Sequence, residues 1–145
     1  MLPEVNRLFD PEIMRKATSD YRDMVPEDII DGWVNNHNNY MYVSGDNVGL
    51  ATLEYPGLYS LHWYFKSARG RQAINLARTM MDCLFKDSPA QAIRGLVKDV
   101  LKASRWGARQ AGLTSMGFVK YPDYSGEYEL FCMTKEDFYK EKQNG

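Results

Sequence analysis

Two cysteines and two histidines among 145 residues leave little material for metal or redox chemistry. Cys83 and Cys132 sit in apolar stretches without metal-ligand spacing and read as free thiols in preference to a disulfide, the pattern of a cytoplasmic protein. His37 and His62 are too scattered for a zinc site. No apolar run reaches the length that spans a bilayer, and "MLPEVNRLFDPE" lacks a signal-peptide core, so no membrane contact is expected. A GxxxxGK[ST] motif is missing, which excludes a Walker-type nucleotide loop. No GxGxxG follows a strand, which leaves a dinucleotide-binding fold without support. Repeats, low-complexity tracts and linkers are also lacking, so residues 1–145 read as one domain with one core.

What is present is a globular composition, 44% apolar with 13% aromatics, and an uneven charge. Residues 1–65 carry 4 Lys/Arg against 10 Asp/Glu, residues 66–109 carry 10 against 3, and residues 110–145 carry 4 against 6. A protein of net charge −1 has therefore gathered its cations into one segment. That segment is either a pair of helices with solvated basic faces or the seat of an anionic ligand. Nucleic acid is not the expected ligand: only Trp63, Tyr64 and Trp106 stand near the basic residues, without aromatic and basic positions interleaved.

Periodicity and punctuation predict a mixed α/β order. Asp10-Pro11-Glu12 starts a helix, with Asp as cap and Pro at the first position. Val25-Pro26-Glu27-Asp28 opens a second helix that buries Ile29, Ile30, Trp33 and Val34. The polar loop "NNHNNY" follows, a solvated connector or a contributor to ligand binding. A three-strand meander then runs through Tyr40–Val43, Val48–Glu54 and Leu58–Phe65. The third strand is apolar on both faces apart from Ser60 and His62, which predicts a central place in the sheet. Ala73, Ile74, Leu76, Ala77, Met80, Met81, Leu84 and Phe85 keep helical spacing until Asp87-Ser88-Pro89. Beyond them, Ala92–Val97 reads as a strand, and Asp99–Leu113 as a helix capped by Asp99. A strand begins at "MGFVKY", a turn spans Pro122–Gly126, and a last strand covers Tyr128–Met133. Thr134-Lys135-Glu136-Asp137 is a near capping box for a final helix.

The chemistry is concentrated in "HWYFKSARGRQAINLARTMMDCLF", residues 62–85, a buried strand feeding a helix through a basic turn. A helix N-terminus presents unpaired N–H groups and partial positive charge. Arg69 and Arg71 add forked donors, and Gly70 permits close approach of an anion.

This layout resembles the GNAT family of N-acetyltransferases across nearly the whole chain. The residues that carry the resemblance are the meander, strand–"RGRQAI"–helix and the ending "MGFVKYPDYSGEYELFCMTKEDF". The resemblance implies a GNAT-like fold, α/β with a central, mostly antiparallel mixed sheet flanked by helices. It also implies acetyl-CoA or CoA as co-substrate, without a metal, and acyl transfer to a primary amine of a small molecule or protein. The phosphate loop of that family is Q/R-x-x-G-x-G/A. Arg69 fits its first position, whereas Gln72 and Ile74 stand where small residues are usual. Tyr64, Phe65, Arg69, Gly70, Arg71, Gln72 and Ala73 are the implied coenzyme-binding residues, with Lys66 adding charge. Backbone N–H groups near Tyr64 and Phe65 would stabilise the oxyanion. Glu54 and His62 are the candidate bases, read alternatively as a solvated strand end and a core histidine. The family's tyrosine acid falls here on Leu113, which leaves Tyr121, Tyr124 or Tyr128 as substitutes. The sequence is also similar to short bacteriophage members of the family, which implies as an alternative a catalytically inactive binding protein with a host or virion partner.

Overall fold

The computed structural model describes residues 4–120, 122 and 126–144. Its strands are β1 (Asn6–Arg7), β2 (Tyr40–Ser44), β3 (Asn47–Tyr55), β4 (Leu58–Phe65), β5 (Ala92–Lys98), β6 (Thr114–Val119) and β7 (Tyr128–Thr134). Its helices are α1 (Pro11–Ala17), α2 (Ile30–Asn35), α3 (Gly70–Asp87), α4 (Lys102–Gln110) and α5 (Lys135–Asn144). The strands form one sheet in the order β1-β2-β3-β4-β5-β7-β6, so β4 is central, as its double-sided apolar pattern predicts. Every pairing is antiparallel except β4 with β5.

Alternation of side chains divides the core in two. On one face Tyr59, Leu61, Ile93 and Phe131 pack against Leu76, Met80, Leu84 and Phe85 of α3 and Phe138 of α5. On the other, Met41, Val43, Val48 and Leu50 pack against Met14, Ala17, Ile30 and Val34 of α1 and α2. Each fully buried Leu, Met or Phe contributes about 1.5–3 kcal/mol, so the six buried residues of α3 dock that helix firmly. Gly49 lets α3 approach the sheet: a Cβ there would lie 2.7 Å from Met80 Sδ and 3.5 Å from Trp63 Cδ1.

Helix ends follow local chemistry, with two departures from the sequence reading. The Asp10 side chain accepts a bond from the Glu12 N–H at 2.9 Å, and the Thr134 hydroxyl accepts one from the Asp137 N–H at 3.1 Å. The helix expected from Val25 begins instead as a single 3-10 turn over Glu27–Ile29 before α2. The helix expected from Asp99 starts at Lys102, because Asp99 is held in the chain leading out of β5. Its N–H donates to Glu127 O at 2.9 Å, and its carbonyl accepts from Arg105 Nη1 at 3.0 Å. Among the described residues, no helix is long and apolar enough to cross a membrane.

Candidate active site at the split between β4 and β5

The parallel pairing of β4 with β5 ends early. Leu58, Tyr59 and Ser60 match Ala92, Ile93 and Arg94; beyond them the strands run on to Phe65 and Lys98 without ladder partners on that edge. A cleft of about 440 Å³ opens where they part. Its lining includes Leu61, Trp63 and Phe65 of β4, Ala73 and Ala77 of α3, and Ala108 of α4. A mostly apolar cleft of this size with a few polar groups at its edges is the ordinary form of a small-molecule site.

The parity of β4 decides which backbone groups face the gap. The Leu61 carbonyl oxygen lies 3.3 Å from where a Gly95 Cβ would sit, so it points toward β5. A strand residue aims its N–H and C=O to the same edge, and the edges alternate. Trp63 and Phe65 therefore offer their N–H groups to the gap, while Tyr64 turns its own toward Val48 of β3. Of the backbone N–H groups near Tyr64 and Phe65, those of Trp63 and Phe65 are the ones that face the gap. Tyr64 lines the cleft by its side chain, whose hydroxyl is raised to about 12 by burial and by neighbouring Tyr21.

At the wide end of the gap lies the N-terminus of α3. Its first turn contains no acidic residue, and among the described residues no side chain caps it. The first N–H engaged within the helix is that of Ala73, to Arg69 O at 3.4 Å, so those of Gly70, Arg71 and Gln72 have no helical partner. Gly70 holds φ +57°, and a Cβ added there would meet nothing within 4 Å, an open and left-handed approach that glycine permits. The loop before it is braced from outside: Asn47 Oδ1 accepts the N–H of Ser67 at 3.1 Å and of Ala68 at 3.0 Å.

The cations expected here divide. Arg69 lines the cleft, and its Nη1 donates to Ala68 O at 2.9 Å and Phe65 O at 3.3 Å, clamping the turn. Lys66 donates to Lys16 O at 2.7 Å, at the end of α1. Arg71 and Gln72 are exposed outside the cleft lining, so only their backbone stands at the helix N-terminus. Gly70 and Ala73 line the cleft, as does Ile74.

No family model matches this sequence, and no curated protein matches it. Solved structures do. The aminoglycoside acetyltransferase AAC(6')-Ib, solved in complex with coenzyme A and kanamycin, superposes with a TM-score of 0.69 at 14% identity, over 96% of this chain and 99% of that one. A variant of the spermidine N-acetyltransferase SpeG from Vibrio cholerae gives 0.77 at 8% identity, over 96% and 99%. A GNAT-family acetyltransferase from Bacillus anthracis gives 0.63 at 16% identity, over 94% and 99%. The chain has the GNAT fold.

Within this GNAT fold the candidate bases lie on the sheet face away from α3. Glu54 Oε1 accepts from the Ser60 hydroxyl at 2.7 Å, and its Oε2 lies 3.9 Å from Arg94 Nη2. His62 stands two residues beyond Ser60 on the same face. Burial lowers its imidazole below the ordinary 6.5, and the nearby Glu54 charge opposes that shift. A neutral imidazole able to accept a proton is thus present near neutral pH. Tyr128 lines the cleft from β7, whereas Tyr121 and Tyr124 lie outside the described residues. Leu113 is buried and lines the cleft with no proton to donate.

One polar cluster had no sequence signal. Glu129, with no exposed side-chain surface, accepts from Arg105 Nε at 2.7 Å and from Arg109. Burial alone would raise its carboxyl, but bonds from Ser115 and Arg105 and the charge of Arg109 hold it below the usual range. The cluster fixes α4 against β7 and so sets the far wall of the cleft. Among the described residues, no group of three or more His, Cys, Asp or Glu is placed to hold a metal ion.

Proposed function

We propose that this protein is an acyl-coenzyme A-dependent N-acyltransferase acting on a primary amine. The observation that carries the reading is the coincidence of three features at one cleft: the parted β4 and β5, the N-terminus of an 18-residue helix, and a half-buried histidine that lines the cleft with its imidazole lowered by burial. The residues present fit coenzyme A. The free N–H groups of the first turn of α3 suit its pyrophosphate. The apolar cleft suits its pantetheine arm, and Trp63 Nε1, buried without a hydrogen-bond partner among the described residues and belonging to a cleft-lining residue, supplies a donor.

When bound, the coenzyme supplies an activated acyl thioester. His62, with Glu54 behind it, takes the proton that makes the amine nucleophilic, directly or through water. The N–H groups of Trp63 and Phe65 stabilise the oxygen that gains charge at the acyl carbon. Tyr128, which lines the cleft, returns a proton to the leaving sulfur.

A second reading is favoured by Leu113, a buried leucine at the family's acid position. On that reading the chain keeps the scaffold and the ligand but not turnover, and serves as a binding protein for a host or virion component of a bacteriophage. Calorimetric titration with coenzyme A, followed by a thiol-release assay over an amine panel, separates the two. Micromolar binding with amine-dependent release supports the enzyme; binding without release supports the binding protein. No heat with coenzyme A or acetyl-coenzyme A removes both.

A further inference from the structure

The sheet face that carries His62 packs with α1 and α2 over β2, β3 and Tyr64 of β4. Over β5 and β7 that buried cluster does not extend among the described residues, and Arg94, Leu96, Lys98, Tyr128, Leu130 and Cys132 form a half-exposed shelf. Those residues share the shelf because Ile93, Val97 and Phe131 point the other way, into the α3 core. Arg94, Leu96, Lys98 and Tyr128 also line the cleft, so the shelf continues into the split.

Arg94 is the last β5 residue in register with β4, beside Ser60. Adjacent strands lie about 4.8 Å apart, and residues two apart on one face about 6.7 Å, so Arg94 and His62 have Cα atoms roughly 8 Å apart. An amine presented to His62 therefore arrives within reach of the Arg94 guanidinium. That group makes no hydrogen bond among the described residues: its one ion pair, with Glu54, is 3.9 Å long, and its side chain is 40% exposed. A guanidinium has five donors in a planar fork that matches a carboxylate. Lys98, farther along the same strand face, adds a second positive charge.

On the reading of the site as an acyltransferase, we infer that its acceptor is an amine with a carboxylate close to the amino group, a free α-amino acid, held by Arg94 with its amine toward His62. The same charges disfavour polyamines. A second ammonium would meet Arg94 at short range in a partly desolvated cleft, where like charges repel most strongly. Leu96 and Leu130 give the shelf an apolar patch for the amino-acid side chain.

The test compares acceptors that differ only in the carboxylate: phenylalanine with phenethylamine, and lysine with cadaverine. Thiol release is measured with acetyl-coenzyme A, and acceptor binding to the coenzyme A complex by calorimetry. The expected result is a kcat/KM at least tenfold higher for the amino acid of each pair. Arg94→Gln should shrink that ratio at least tenfold, chiefly through KM, and Arg94→Lys should recover part of it. Equal or better use of the decarboxylated partner, or a ratio unmoved by Arg94→Gln, overturns the assignment. So does coenzyme A binding without binding or turnover of either acceptor. The absence of coenzyme A binding is a separate result, which removes the acyltransferase reading itself.

Discussion

Gly70→Asp separates ligand binding from folding at the mouth of the cleft. The residue occupies φ +57°, and a side chain there meets nothing within 4 Å. A left-handed conformation costs an ordinary residue about 1–2 kcal/mol, and aspartate less. A carboxylate at a helix start returns about 0.3–1 kcal/mol by bonding free N–H groups and complementing the dipole. The two effects nearly cancel, so the melting temperature should stay within about 4 °C of wild type. Binding should not survive. A pyrophosphate on the first turn of α3 would sit about 5 Å from the new carboxylate, and each pair of unit charges at that distance costs about 0.8 kcal/mol even in bulk water. Two such charges and one forfeited charge-assisted hydrogen bond of about 1.5 kcal/mol sum to about 3 kcal/mol, roughly a hundredfold in Kd. Gly70→Ala is the control: it bears the backbone cost without the charge, so it should lower the melting temperature more and the affinity less. Calorimetry with coenzyme A and thermal melts of all three proteins give the answer. If Gly70→Asp binds coenzyme A within threefold of wild type, the helix N-terminus is not the phosphate seat.

The pH dependence of turnover has a defined sign. His62 must be neutral to accept a proton and its imidazole is lowered from 6.5, so thiol release should be complete near neutral pH and fall only as pH drops through a value below 6.5. Glu54→Gln removes the opposing charge and should move that acid limb lower still; a limb above 6.5, or one unmoved by the substitution, refutes the assignment of the base. Arg105→Ala strips Glu129 of one guanidinium while Arg109 remains, and should cost about 3 kcal/mol in urea denaturation, the low end for disturbing a buried ion pair. A loss under about 1 kcal/mol would mean that water replaces Arg105 freely and that the cluster does not hold α4.

Much of the architecture was legible because it is periodic. Leu76, Ala77, Met80, Met81, Leu84 and Phe85 mark a single buried stripe, and the double-sided apolar run of β4 marks a central strand. The start of α4 was not, because Asp99 is a good cap by type and yet its backbone is committed to Glu127 and Arg105, partners set by the β5–β7 pairing. The candidate site divides in the same way. Gly70 and the turn around it show in the sequence as a local motif. Arg71 looks equivalent to Arg69 there, but the first turn of the helix points it away from the cleft. Which β4 amides face the gap depends on which edge of the strand pairs with β3, a property of topology rather than of residue type. The Ser60–Glu54–Arg94 cluster joins three strands and so has no spacing to read.

The bracing of the turn by Asn47 has an evolutionary corollary. Asn47 Nδ2 donates to Ser44 O and to Ser67 Oγ, each at 3.1 Å, while its Oδ1 holds the next two amides of the β4–α3 loop. The hairpin between β2 and β3, usually a place where chains gain and lose residues freely, is thereby mortised into a loop twenty positions away. An insertion after Ser44 would displace Asn47 and release the amides of Ser67 and Ala68 together, loosening the approach to α3 without touching it. In descendants of this sequence, the length of that hairpin should drift only alongside compensating change at Ser67 and Ala68, two stretches inherited as one unit.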